Sequence, residues 1–155
     1  MAGGIFDLTT ADHMLAKLRF EVEAFKADET ARHAVNAIWT GYHMIEWIWN
    51  ERLSADVVLQ RRVGVHTEDD LRAKVRTEHP PLKLIRALAN GSKHFERDAK
   101  DPATGVHHGS FSKGFSKGFD VDYLYIEVDG TRLDVEAVLD ALLGYWEAFF
   151  ATYLR

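Results

Sequence analysis

The chain contains no cysteine. That absence removes disulfides, thiolate zinc sites and cysteine nucleophiles from consideration. It also fits a reducing compartment. The opening residues MAGGIFDLTTADH show no basic cluster followed by an apolar run, so no signal peptide is expected. No stretch approaches the roughly 20 apolar residues that span a bilayer, so no membrane partner is expected and the default is a soluble cytoplasmic protein. A Gly-rich phosphate loop and a dinucleotide fingerprint are missing, and no Ser-His-Asp arrangement can be argued from spacing. Broad positive charge is missing too. The formal net charge is −5, which disfavours broad, non-specific nucleic-acid binding.

What is present is enough apolar material for a core. Hydrophobic residues make up 46% of 155 residues, a length that suits one domain covering 1–155. Charge is uneven. Between Lys83 and Lys117 seven lysines and arginines stand against three acids, so one locally basic segment sits on an otherwise acidic chain.

The periodicity is mostly helical. Thr9 and Asp12 have capping-box-like spacing, and Leu15, Leu18, Val22 and Phe25 then recur as one helical face ending near Ala27. A long second helix is expected from about Glu29 to Leu53. Ala31, Val35, Ile38, Tyr42, Ile45 and Trp49 form a near-heptad seam, with Ala34, Ala37, Gly41 and Ile48 running beside it. Trp47 and Trp49 point roughly 200° apart on a helix, so this helix is either central or lines a subunit interface. Trp39 and Trp146 sit on apolar stripes and read as core.

A short helix or turn follows over Ser54–Val65. Thr67-Glu68-Asp69-Asp70 begins a polar helix over 68–78, and Pro81 is placed to begin the next helix. Residues 98–120, with their FSKG FSKG repeat, read as a mobile surface loop whose phenylalanines tuck onto the bundle. The period then changes to two over 121–134, with Asp129-Gly130 as a hairpin turn and Leu124, Ile126 and Val128 on one face. Asp134 caps a last helix whose face is Val135, Leu139, Leu142, Trp146 and Phe149. The expected fold is mainly α: an up-and-down bundle of about four long helices plus short helices, with a β-hairpin before the last helix.

The stretch LIRALANGSKHF, residues 84–95, carries the candidate chemistry. It has two readings. In the structural one, Asn90-Gly91 ends the helix through a left-handed glycine. Lys93 and a protonated His94 then satisfy the last carbonyls, and Arg86 pairs with a neighbouring acid. In the functional one, Arg86 and Asn90 share a helix face and Lys93 and His94 extend it. Arg offers a planar fork matched to phosphate, and His exchanges protons near neutral pH. Grouped with Lys93, they supply what RNA phosphodiester cleavage needs without a metal.

A helical bundle with polar residues on a long second helix, and an Arg…His pair near the end of a later helix, resembles the HEPN superfamily. The resemblance implies a metal-independent ribonuclease, or an RNA-binding or scaffold derivative, of a prokaryotic defence or toxin–antitoxin system. It implies RNA as a partner, a homodimer and no cofactor, with an antitoxin or nucleotidyltransferase as a further partner. It places the motif Arg at Arg86 and the motif His at His94, with Asn90 and Lys93 accessory and His43, Glu46 or Asn50 contributing from the second helix.

Two other readings stand beside it. One is a non-catalytic interaction module whose polar cluster is a helix cap. The other is a metal-binding bundle around His43 and Glu46 with ligands such as His13 or Glu21. His107-His108 reads first as a solvated pair in the loop.

Overall fold

A computed structural model describes residues 6–93, 102–111 and 118–155. The fold is mainly helical, with a small sheet inserted before the last helix. The helices are α1 (Ala11–Ala27), α2 (Ala31–Ile48), α3 (Val57–Val63), α4 (Glu68–Glu78), α5 (Leu82–Gly91) and α6 (Val135–Phe149). The strands are β1 (Ala103–His107), β2 (Tyr123–Val128) and β3 (Thr131–Asp134).

Most helix starts are written in the chain. Thr30, Asp56 and Asp134 each accept a backbone N–H from the first turn that follows. Thr67 and Asp70 form a reciprocal capping box at α4, whose range 68–78 matches expectation. The start of α1 differs by one residue from the reading of its sequence. Thr10, not Thr9, is the cap and accepts from the His13 N–H at 3.1 Å, and the Thr9 N–H donates to the His13 ring at 3.3 Å.

The core is built by α1, α2, α5 and α6, joined by Leu71 and Val75 of α4. Leu15, Leu18, Val22 and Phe25 are buried as the periodicity predicts. In α2 the second stripe is buried throughout, and the near-heptad seam only at Ile38 and Ile45 among its first five positions. Ala34, Ala37, Gly41, Met44 and Ile48 face the core, whereas Ala31, Val35 and Tyr42 of the near-heptad seam stay partly or fully accessible. The close approach of α6 decides this. A Cβ on Gly41 would lie 2.3 Å from Leu142, and the buried Trp146 indole N–H donates to the Gly41 carbonyl at 3.0 Å. Only the small-residue stripe admits α6 that closely.

Beyond Ile48 the helix widens into a π turn, Trp49–Leu53, closed by the Ser54 N–H on the Trp49 carbonyl at 2.8 Å. Both Trp47 and Trp49 pack partly against the core, so the central-helix reading accounts for the pair. Trp39 departs from its core assignment. It is exposed, and its indole N–H donates to Ser92 Oγ at 2.7 Å.

The expected hairpin is the last two strands of a three-stranded antiparallel sheet, order β1-β2-β3. Asp129 (φ 50°) and Gly130 (φ 76°) both take the left-handed turn conformation the dipeptide predicts. The third strand, β1, falls within 98–120, where a loop was expected. Thr104 pairs with Ile126 and His107 with Tyr123. Gly105 hid this strand. It lowers strand propensity, yet a Cβ there would meet the Tyr125 hydroxyl at 2.5 Å. The phenylalanines described in that span, Phe111 and Phe119, pack on each other at 5.6 Å and remain exposed instead of tucking onto the bundle. The rest of the FSKG repeat lies outside the described residues.

Candidate functional site

The seam between α2 and α5 opens into two depressions. The two helices run antiparallel along it: Ala34 and Ile38 stand with Leu88 and Gly91 at one end, and Tyr42 and Ile45 with Leu82 and Arg86 at the other. The first depression, about 460 Å³, is an apolar groove closed by Val106 and Leu124 of the sheet and lacks a charged side chain. The second, about 380 Å³, is lined by Tyr42, Ile45, Asp69, Arg72, Arg76, Leu82 and Arg86.

Local sequence explains the second cleft. Leu82 and Arg86 are four apart on α5, so a buried leucine and an exposed arginine share one edge. Asp69, Arg72 and Arg76 follow the same three- and four-residue steps on α4. Burial works against the Arg72 charge, but hydrogen bonds to Glu68 and Tyr42 outweigh it and raise its pKa. Glu68 holds Arg72 as an ion pair within the helix. Arg76 Nε donates to the Arg72 carbonyl at 3.3 Å. Among the described residues, neither Arg76 nor Arg86 makes an ion pair, and Asp69 makes none with any of the three arginines. The acid partner expected for Arg86 is thus not found among the described residues.

The other predicted residues are distributed differently. Asn90, further along α5, and Lys93, just past its end, are exposed and lie outside the lining of the basic cleft. His94 lies outside the described residues. From α2, the cleft takes Tyr42 rather than the predicted His43, Glu46 or Asn50. His43 meets Glu46 at 3.4 Å on the half-exposed side, and the Asn50 amide donates to the Glu46 carbonyl at 2.9 Å. These positions are one to eight residues from Tyr42, but the 100° step per residue turns His43 away from the cleft edge.

The helix-cap reading of Asn90-Gly91 also changes. Gly91 remains helical and buried, and the glycines with positive φ among the described residues are Gly64 and Gly130. Ser92 closes α5: its N–H donates to the Leu88 carbonyl at 3.0 Å and its hydroxyl to the Ala89 carbonyl at 3.0 Å.

Neither candidate metal ligand from α1 reaches His43. Glu21 pairs with Lys17 at 3.1 Å and His13 contacts Thr9. Among the described residues no three His, Asp or Glu side chains gather as a group that could hold a metal ion. His107 is not solvated loop but part of β1. It meets Asp120 at 2.6 Å, and the Ser110 hydroxyl donates to the other oxygen of the same carboxylate at 3.0 Å. His107 and Ser110 hold the Asp120 pKa below the usual carboxylate range. With the acid between serine and histidine, that serine has no base, so the trio ties β1 to the turn and does not make a nucleophile.

Sequence reading missed Arg72, Arg76, Asp69 and Tyr42. The available signal was the pair of arginines four apart in a helix otherwise read as merely charged. Compared with protein-family models, with curated proteins and with solved structures, the chain matches none of them.

Proposed function

We propose that the protein engages RNA at the cleft containing Arg86 and cleaves it without a metal, as its resemblance to HEPN proteins implies. One observation carries this reading: Arg86 lines an accessible cleft with two further guanidiniums, and neither it nor Arg76 is neutralised by a described acid. Positive charge concentrated in a cleft of an acidic protein attracts a polyanion locally without promoting general nucleic-acid binding.

In the proposed reaction the ribose 2′-oxygen attacks the adjacent phosphorus and the bond to the 5′-oxygen breaks. The products are a 2′,3′-cyclic phosphate and a free 5′-hydroxyl. His94 takes the 2′-hydroxyl proton or donates one to the departing oxygen. Arg86 stabilises the charge that builds on the phosphorane, with Asn90 and Lys93 positioning the strand. A homodimer would bring two such sites together.

The test uses a single-stranded oligoribonucleotide in excess chelator. The expected products carry 2′,3′-cyclic phosphates, and His94→Ala lowers the rate by about 10²–10⁴-fold while the melting temperature holds. Wild-type protein that neither binds nor cuts the strand would overturn the proposal. Binding without cleavage would leave an RNA-binding derivative.

A further inference from the structure

The apolar groove between α2, α5 and the sheet takes no part in the function proposed above, and it shares no lining residue with the Arg86 cleft. Small residues make its room. Ala31 and Ala34 of α2, Gly91 of α5 and Gly105 of β1 stand where larger side chains would fill it. Ile38, Leu88 and Val135 of the lining are buried core residues, and Val106 is half-exposed. Trp39 stands beside the groove, its indole fixed on Ser92 Oγ, while the Ser92 hydroxyl donates to the Ala89 carbonyl. Along α2 the lining runs from Ala31 to Ile38, roughly 10 Å of helix.

We infer that this groove binds a free fatty acid, with the acyl chain along α2 and the carboxylate at the end where α2 begins and α5 stops. The lining holds no charged side chain, so a charged group inside it would give up hydration without a partner. An apolar chain loses nothing there and covers apolar surface that water would otherwise wet. The groove is elongated between two antiparallel helices, a shape that suits a chain better than a ring. Its size, about 460 Å³, falls in the small-ligand range of roughly 300–1,000 Å³. Charge enters at one end. Arg32 follows Ala31 and Lys93 follows Ser92; both are exposed, and neither makes an ion pair among the described residues. Arg32 stands two helical turns before Trp39, on the same side of α2. Glu29, the acid nearest that end of α2, is engaged by the sheet instead, accepting the Leu124 N–H at 2.6 Å. A carboxylate at the end of the chain complements the two cations.

Three probes test the two halves of the ligand and its source. They are lauric acid below its micelle-forming concentration, lauryl alcohol as the same chain without the charge, and phosphatidylglycerol vesicles as acyl chains held in a membrane. The full chain is expected to bind lauric acid, and to bind lauryl alcohol about tenfold more weakly. Arg32→Ala combined with Lys93→Ala is expected to weaken the acid by about five- to tenfold and to leave the alcohol unchanged.

Val106→Asp and Ala31→Leu locate the chain by opposite means. The first puts a charge into the lining and the second fills one end of it. Both positions are exposed, so the fold tolerates either change. Each variant is expected to weaken acid and alcohol alike by about tenfold. Acid binding unchanged in both would overturn the groove as the site. Alcohol bound as tightly as acid, with the acid indifferent to the loss of both cations, would overturn the fatty acid as the ligand. Protein that binds no lauric acid would overturn the proposal, and sedimentation with the vesicles in that case would place the acyl source in a membrane. RNA cleavage at Arg86 is measured separately and stands or falls on its own residues.

Discussion

Two faces of the bundle handle charge in opposite ways. Where α1 packs beside α2 and α6, cations meet acids: Lys17 with Glu21 at 3.1 Å, Arg19 with Glu147 at 2.5 Å, Lys26 with Asp140 at 2.8 Å. Lys17 also reaches the buried Thr40 hydroxyl at 2.6 Å. Where α4 meets α5, Arg76 and Arg86 line a cleft with no described acid on either. The first arrangement holds elements together. The second joins its elements through no ion pair of these two arginines among the described residues.

The contrast is broken most severely from the packed side. Trp146 is fully buried, touches Phe149 ring to ring at 5.7 Å and donates to the Gly41 carbonyl. Trp146→Ala is expected to cost about 3–5 kcal/mol, read as a fall in denaturant midpoint. Arg76→Ala and Arg86→Ala, on the cleft side, are expected to stay within about 0.5 kcal/mol of wild type. Equal losses on the two sides would dissolve the distinction. Gly41→Ala comes next. The added methyl would overlap the side chain of Leu142, itself fully buried. Overpacking of this kind costs about 1–3 kcal/mol, and restoring space with Leu142→Ala should recover part of it in a double-mutant cycle.

A smaller effect sharpens the comparison from the cleft side. Thr67 and Asp70 close the N-terminus of α4, the helix that carries Asp69, Arg72 and Arg76. Thr67→Ala is expected to cost about 1 kcal/mol. Because the lost cap frays the turn holding Asp69, RNA binding should weaken as well. A stability loss with unchanged binding would show that the cleft does not depend on the first turn of α4.

The same division decides what was legible in the sequence. Helix starts at Thr67 and Asp134, the α1 stripe and the Asp129-Gly130 turn are local facts, set by a few neighbouring residues. The choice of core stripe in α2 is not local. Both stripes are apolar, and the winner is fixed by Gly41 meeting Leu142 from a helix a hundred residues later. β1 escaped for a similar reason, since Gly105 looks like a strand breaker until Tyr125 is seen lying over it. At the candidate site Arg86 was legible, because an exposed guanidinium on an apolar helix stands out. Its companions were not. Arg72 and Arg76 read as solvated charge on a polar helix, and only the α4–α5 turn through His79-Pro80-Pro81 brings them beside Arg86.

That turn offers the mildest way to perturb the comparison, through pH. His79 is 7% exposed and stacks on the Tyr145 ring at 5.1 Å, and burial pushes its pKa below the ordinary 6.5. The neighbouring Glu78 is already engaged, accepting from the Tyr145 hydroxyl at 2.9 Å and from Lys74 at 2.6 Å, so it offers no ready partner for an imidazolium. The unfolded chain therefore takes up a proton near pH 6.5 that the folded chain still refuses. The stability from a neutral His79 is fully present above that pH and declines as pH falls towards the folded-state value. The melting temperature should drop between about pH 7 and pH 5, and His79→Leu should flatten that part of the slope. The variant matters more than the slope alone, because Asp70 and Asp120, both held below their ordinary pKa by hydrogen bonds, lose their contribution only at lower pH. A His79→Leu profile that parallels wild type between pH 7 and pH 5 would place the acid sensitivity elsewhere.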